Sequence, residues 1–334
     1  MNINTSYTPL KVVGYFSLSV KNSAGVVTEK GTSRPVDNVV TKKGAFLLLS
    51  GALTFYNLTA KVGTSTTERT VNSTSLGTPL AATATVSISG NERDSEVDNG
   101  DGTSTVDIVR TGSFSIGQIV GTISELGIHD GAELIAGQLI KDEFGNPTTL
   151  TLLSDEQLAV TYTVSITVPN GGLATAPIVG SGTVTSPRGS HTYNIYAQPF
   201  FYTYADIGGS TPFVRLDQCK DAVVFSGSNG LALRTVGGGN SSSPNTVDNL
   251  DGTFSTTFST QTVSPNLWQE ADIKFMVFGP FSTSTSASQI NTTTKYLTSN
   301  TISNGIFVVE FSPALEKTDT ESLVVGLTGN YSTV

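Results

Sequence analysis

Residues 159–168 alternate without a break. Val160, Tyr162, Val164, Ile166 and Val168 fall on one side and Thr161, Thr163, Ser165 and Thr167 on the other, up to Pro169. A period of two is that of a strand with one face buried, here in an antiparallel sheet. Residues 12–20 follow the same rule, with Val12, Phe16, Leu18 and Val20 on one face. Asn22-Ser23-Ala24-Gly25 then reads as a hairpin turn into Val26-Val27-Thr28. Shorter apolar runs predict further strands at 54–62, 84–89, 105–109, 113–123, 195–204, 221–226, 253–258, 272–278, 305–311 and 322–327. Clusters of Gly, Asn, Asp, Ser and Pro punctuate them. Helical periodicity is confined to Lys43–Ala52 and a short stretch at Asp155–Leu158. The pattern predicts an all-β protein with one or two short helices.

Length and an internal repeat set the expected organisation. At 334 residues the chain exceeds the usual size of a single core. Val97-Asp98-Asn99-Gly100-Asp101-Gly102-Thr103 recurs as Val247-Asp248-Asn249-Leu250-Asp251-Gly252-Thr253. Each copy leads into a Ser/Thr-rich strand, and later into an apolar strand ending near a proline, Pro169 or Pro313. The expectation is two antiparallel β-sandwich-like domains related by duplication: 1–169 with a polar N-terminal arm, a linker-like segment 170–194, and 195–334. The alternative is that Asp-Gly turns recur by chance in a chain rich in Gly, Asp and Thr.

Composition narrows the function. Charged residues make up 13% of the chain, net charge is −9, and there are two His, one Cys and one Trp. No basic run exceeds Lys42-Lys43, so phosphate neutralisation, and with it a nucleic-acid partner, is not expected. No apolar stretch approaches the ~18 residues of a membrane span. The N-terminal segment lacks the apolar core of a signal peptide, so cytosolic synthesis without membrane insertion is expected. Lone Cys219 reads as a small buried hydrophobe.

Candidate chemistry is sparse. The acidic turns at Asp98–Gly102 and Asp248–Gly252 lack the calcium-loop spacing: position three is Gly100 or Leu250, and position twelve is Val109 or Ser259. They read as hairpin turns. His129-Asp130 and Ser190-His191 have no nucleophile-elbow sequence nearby, and both histidines are expected in exposed loops. His129, His191 and Cys219 do not share a zinc-ligand spacing. Glu92, Asp94, Glu96 and Asp98 read as a solvated loop rather than a glycosidase acid pair. Val236–Asn240 lacks the lysine of a phosphate-binding loop. No catalytic, cofactor or metal residue is assigned, and no enzymatic activity is expected. The aromatic run Tyr193, Tyr196, Phe200, Phe201, Tyr202 and Tyr204 reads as core, with a sugar-stacking platform as its alternative.

One segment has a further implication. Gly14–Val20 is followed by Asn38-Val39-Val40-Thr41-Lys42-Lys43-Gly44, a Leu-rich stretch and Val62-Gly63-Thr64-Ser65-Thr66. Together with Gly117–Gly121, Glu125–Gly127, Leu139–Asp142 and Leu158–Tyr162, this resembles structural proteins of tailed-bacteriophage virions over roughly residues 10–168. In those proteins an Asn-apolar-apolar-Thr-x-x-Gly stretch precedes a short helix and a glycine turn. The resemblance implies a non-enzymatic, tail- or neck-associated structural protein of the tail-fibre type. It would assemble in the host cytoplasm in multiple copies with itself and with other tail or neck proteins. A receptor-binding adhesin for host surface glycan is the alternative.

Overall fold

The computed structural model describes residues 2–4, 11–31, 36–50, 58–87, 95–142, 144–169, 172–186, 188–198, 221–226, 232–236, 246–248, 253–258, 271–279, 289–298, 307–317 and 325–330. The protein is all-β, with several antiparallel sheets, one of them nearly closed.

That sheet is built on β2 (Lys11–Lys21) and β13 (Gln157–Pro169), the two segments of strict alternation, which pair over their whole common length from Gln157↔Lys21 to Thr167↔Lys11. On one side of them lie β8 (Thr103–Ser113) and the short β7 (Ser95–Asp98). On the other lie β4 (Val36–Val40), β11 (Glu133–Leu139), β10 (Glu125–Asp130), β5 (Leu58–Gly63) and β6 (Pro79–Val86), while β3 (Val27–Gly31) pairs beside β2. The sheet curls until Ser87, just past β6, exchanges two 2.9 Å backbone hydrogen bonds with Thr111 of β8. Eight strands thereby come close to a barrel, whose interior is small enough for side chains to fill. Val12, Phe16, Leu18, Val20, Ile108, Val160, Tyr162 and Val164 are all buried, and the Phe16 and Tyr162 rings meet at 5.3 Å.

Helix α1 (Lys42–Ser50) follows β4 and is packed against β11. Its start is defined by Thr41, whose hydroxyl accepts the Gly44 amide at 2.9 Å and donates to the Leu134 carbonyl at 2.6 Å. This is an N-cap that also ties the helix to the sheet. Gly44 lies so close to the Ile135 carbonyl that any Cβ would collide with it.

A six-stranded sheet runs in the order β14 (Ile178–Ser186), β15 (Gly189–Ala197), β23 (Phe307–Lys317), β20 (Ala271–Gly279), β16 (Asp221–Ser226) and β17 (Ala232–Val236). Tyr193, Ile195, Phe307, Val309 and Phe311 on one face belong to the same buried cluster as the barrel interior. Tyr196, Phe275 and Val308 on the other are covered by Ala176 and by the hairpin of β21 (Gln289–Ile290) and β22 (Leu297–Thr298). A small sheet joins β18 (Thr246–Asp248), β19 (Thr253–Phe258), β24 (Val325–Asn330) and, in parallel, β1 (Asn2–Asn4). Strands β9 (Gly121–Ile123) and β12 (Leu150–Leu152) form a separate pair.

The strand pairing separates 11–169 from 178–330, with β1 alone crossing between them, whereas the buried apolar cluster runs across that boundary. The segment expected as a linker, 170–194, instead carries β14 and most of β15. Its alternation is diluted by Gly and Ser, and its buried positions Val184, His191 and Tyr193 are not all apolar. Asp155–Leu158 is not a helix: Asp155 lies in a turn, and Gln157 and Leu158 begin β13. Residues 114–120, expected within a strand, form a turn that buries Phe114 and Ile119. The recurring Asp-Gly segments both join antiparallel neighbours with the same spacing: Asp98 pairs with Ser104, and Asp248 with Phe254.

Candidate functional site

Three polar clusters are built deliberately enough to be weighed as sites. The first lies at the tip of the β14–β15 hairpin. Two residues, 187 and 188, connect Ser186 to its partner Gly189, so residues 186 and 191 lie diagonally on one face. There His191, 4% exposed, places Nε2 3.0 Å from the Ser186 hydroxyl and Nδ1 3.1 Å from the Pro313 carbonyl. A carbonyl only accepts, so Nδ1 carries a proton, while the Ser186 hydroxyl beside Nε2 also has the Gly189 carbonyl within reach as an acceptor, at 3.3 Å. This is the contact of a nucleophile with its base, but the group orienting the imidazole is a neutral carbonyl. Catalytic triads place a carboxylate there to stabilise the imidazolium. The Ser186 hydroxyl also accepts the Arg188 amide at 3.2 Å. What the arrangement accomplishes is to tie the hairpin tip to β23.

The second cluster surrounds Glu125, fully buried on the outer side of β10. Its carboxylate accepts the amides of Thr78 at 2.7 Å, Gly77 at 3.0 Å and Ser65 at 3.3 Å, and lies 3.8 Å from the Arg69 guanidinium. Arg69 in turn donates to the carbonyls of Thr67 and Ser75. The loop 64–78 is thereby held over β5, β10 and β11, with Leu76 buried beneath it. Apart from the Arg69–Glu125 pair itself and a 3.5 Å contact of Arg69 with the Ser65 hydroxyl, the charge-assisted bonds of this cluster are directed at the protein's own backbone.

The third cluster centres on Glu310, which meets Lys295 at 3.0 Å and Lys274 at 3.5 Å and accepts the Tyr196 hydroxyl at 3.0 Å. Lys295 also sits over the rings of Phe275 and Tyr196. Burial, and then the Glu310 charge, push the Tyr196 phenol up.

Both histidines were expected in exposed loops, and both are buried in strands. His129 lies on β10, 3% exposed, with neither ring nitrogen hydrogen-bonded. Burial, and then the charge of Lys61, lower its pKa from 6.5 to about 4. A neutral imidazole is therefore part of the fold. Unfolded chains bind a proton at His129 below pH 6.5 and the folded chain resists it until about pH 4, so stability falls as pH drops through that window. In urea melts the loss of stability between pH 6.5 and 4.5 is expected to be smaller in His129→Leu than in the parent chain. Identical pH profiles would show that the ring is not desolvated.

The remaining candidates separate cleanly. The first acidic turn is a hairpin turn, with positive φ at Gly100 and Gly102 and the Asp98 and Asp101 carboxylates bonded to backbone amides within it. Tyr193 and Tyr196 are buried on opposite faces of β15, as core residues. Cys219, Glu92, Asp94, residues 237–240, 249–252 and 199–204 lie outside the described residues, as does the side chain of Glu96. No group of three or more His, Cys, Asp and Glu that could hold a metal ion occurs among the described residues. No helix among them is long and apolar enough to cross a membrane. The Ser186–His191 pair was missed because its partners become neighbours only across a two-residue turn.

No family model, curated protein or solved structure matches the chain. The functional reading therefore rests on the molecule's own residues.

Proposed function

We propose that this chain is a non-enzymatic structural protein of a tailed-phage virion, tail- or neck-associated, assembled in multiple copies in the host cytoplasm. The observation that carries the reading is the work done by the motif residues behind the resemblance. Asn38 is buried over Gly14 between β2 and β11, Thr41 caps α1 onto β11, and Gly44 is in backbone contact with Ile135. Gly63 sits beside the Glu125 carboxylate at the root of the 64–78 loop. These positions pack strand, helix and loop against one another along β4, β10 and β11, and none presents a reactive group to solvent. The polar clusters point the same way, since their hydrogen bonds are spent on the protein's own chain. A particle component needs this economy, because its task is to hold shape and to meet neighbours.

The test is quantitative mass spectrometry, with antibody labelling, of purified tailed particles from cells carrying the native gene. The expected result is a fixed number of copies greater than one per particle, with label on the tail or neck. Absence of the chain from particles that are otherwise complete would overturn the proposal.

A further inference from the structure

The cluster around Glu310 differs from the other two polar clusters in gathering a primary amine, a carboxylate and a carboxamide beside aromatic rings. Asn194 of β15 and Phe275 of β20 are the cross-strand partners of Glu310 on the two sides of β23. The Lys295 amine lies 3.0 Å from Oε1 of Glu310, and the Tyr196 hydroxyl donates to Oε2 at 3.0 Å. That hydroxyl is also hydrogen-bonded to the Asn194 side chain. One carboxylate therefore meets the amine directly and the carboxamide through a single phenol.

Lys295 is held there by its backbone. It lies in the turn of the β21–β22 hairpin, which covers this face of the sheet. Its amide donates to the Asn291 carbonyl at 2.8 Å, and its carbonyl accepts the buried Gln198 side chain at 3.0 Å. Its φ of 62° lies in the left-handed region that favours glycine, the sole such case outside glycine among the described residues. A lysine kept where the backbone favours glycine directs attention to its side chain. The amine sits 5.4 Å from the centre of the Phe275 ring and 5.9 Å from that of Tyr196, with little water around it. The second cation, Lys274, is committed elsewhere: its amine donates to the Phe311 carbonyl at 2.8 Å and lies 3.5 Å from Glu310.

We propose that Lys295 and Asn194 form an autocatalytic cross-link, an isopeptide bond whose formation Glu310 promotes as general base. Glu310 takes a proton from the Lys295 ammonium, and the neutral amine attacks Cγ of Asn194. The new bond joins Nζ to Cγ, and the bond that breaks is that from Cγ to Nδ2 of Asn194. Of the three ammonium protons, one stays on the new amide nitrogen. The other two pass by way of Glu310 and the Tyr196 hydroxyl to the departing nitrogen, which leaves as ammonium. Charge and atoms balance, and no oxidant or co-reactant is needed. Because the fold holds both partners at one carboxylate, the reaction is intramolecular and avoids the entropy cost of an encounter. The product ties the β21–β22 hairpin covalently to β15. This goes beyond the structural role proposed above and does not depend on it.

The experiment is intact-mass spectrometry of the full chain, held at neutral pH until its mass no longer changes, followed by a tryptic map. The parent is expected to weigh less than its sequence by one ammonia. Its tryptic peptides carrying Asn194 and Lys295 are expected to stay joined, with no cleavage after Lys295. Lys295→Arg keeps the positive charge beside Glu310 without an amine that acylates, and it is expected at its full sequence mass, as is Asn194→Ala. Glu310→Gln retains both partners and is expected to remain without the cross-link. A parent chain at its full sequence mass would overturn the proposal, whatever the variants do. An ammonia loss that maps to another asparagine, with the two peptides separate, would overturn it equally. Cross-linking that persists in Glu310→Gln would overturn the role of that carboxylate as the base.

Discussion

Glu125→Ala is expected to destabilise the protein by about 3–5 kcal/mol, the usual cost of removing one member of a buried charged cluster. The substitution strands three backbone amides, those of Ser65, Gly77 and Thr78, which now donate to the carboxylate. It also leaves the Arg69 guanidinium, which lies 3.8 Å from that carboxylate, without its counter-charge. Each orphaned donor loses water without gaining a partner, a cost of roughly 1–3 kcal/mol apiece before relaxation. The first consequence is local, because these bonds hold the 64–78 loop over the sheet. Limited proteolysis is expected to open at Thr66–Thr70 in Glu125→Ala before the barrel itself unfolds. Glu125→Gln, which keeps one acceptor oxygen, is expected to fall between the two in a urea melt. A Glu125→Ala variant within about 0.5 kcal/mol of the parent would show that the carboxylate does not hold the loop.

The second large effect is expected inside the barrel. Val164 is fully buried between Gly14 and Ile108, and Val164→Asp would set a carboxylate among apolar neighbours, costing several kcal/mol, roughly 3–5 on the scale of buried-charge substitutions. Thr163→Asp, on the other face of the same strand, is expected to cost about 1 kcal/mol or less. Thr163 pairs with Tyr15 and Val109 on an outer face that already carries Asp37 and Asp107, whose charges, after burial, push the Tyr15 phenol up. A new acid there meets mild repulsion and ample water. Urea melts of the two variants measure the contrast, and equal losses would mean that both faces of β13 are buried.

Much of the barrel was legible in the chain because its two longest strands obey one local rule. Val160–Val164 alternate strictly and Val12–Val20 follow the same period, and one-sided burial follows from the pleat alone. The Asn22–Gly25 turn was legible for a similar reason: the Asn22 side chain accepts the amides of Ala24 and Val26, and Gly25 supplies the positive φ. Strand β11 was not legible as a strand, and β10 only as the strand-like run Glu125–Ile128. Both of their faces are buried, one in the barrel and one under the 64–78 loop, so Glu125–His129 and Leu134–Leu139 show no alternation. A buried Glu in such a run reads as an exposed position until the loop amides that satisfy it are known.

The polar clusters divide along the same line. Composition alone determined that titratable groups are scarce and that the protein is a β-protein, because strand propensity and turn residues act over a few neighbours. Which groups meet was decided only by tertiary structure: Ser186 with His191 and Pro313, Arg69 with Glu125, and Tyr196 with Lys295 and Glu310. Each partnership crosses a turn or joins separate strands, and its energy depends on how far burial excludes water, a quantity no local pattern contains. The same reason explains both histidines. A lone His in a polar stretch resembles a loop residue, and only the packing of neighbouring strands over it makes His129 a neutral buried group and His191 a tie between β15 and β23.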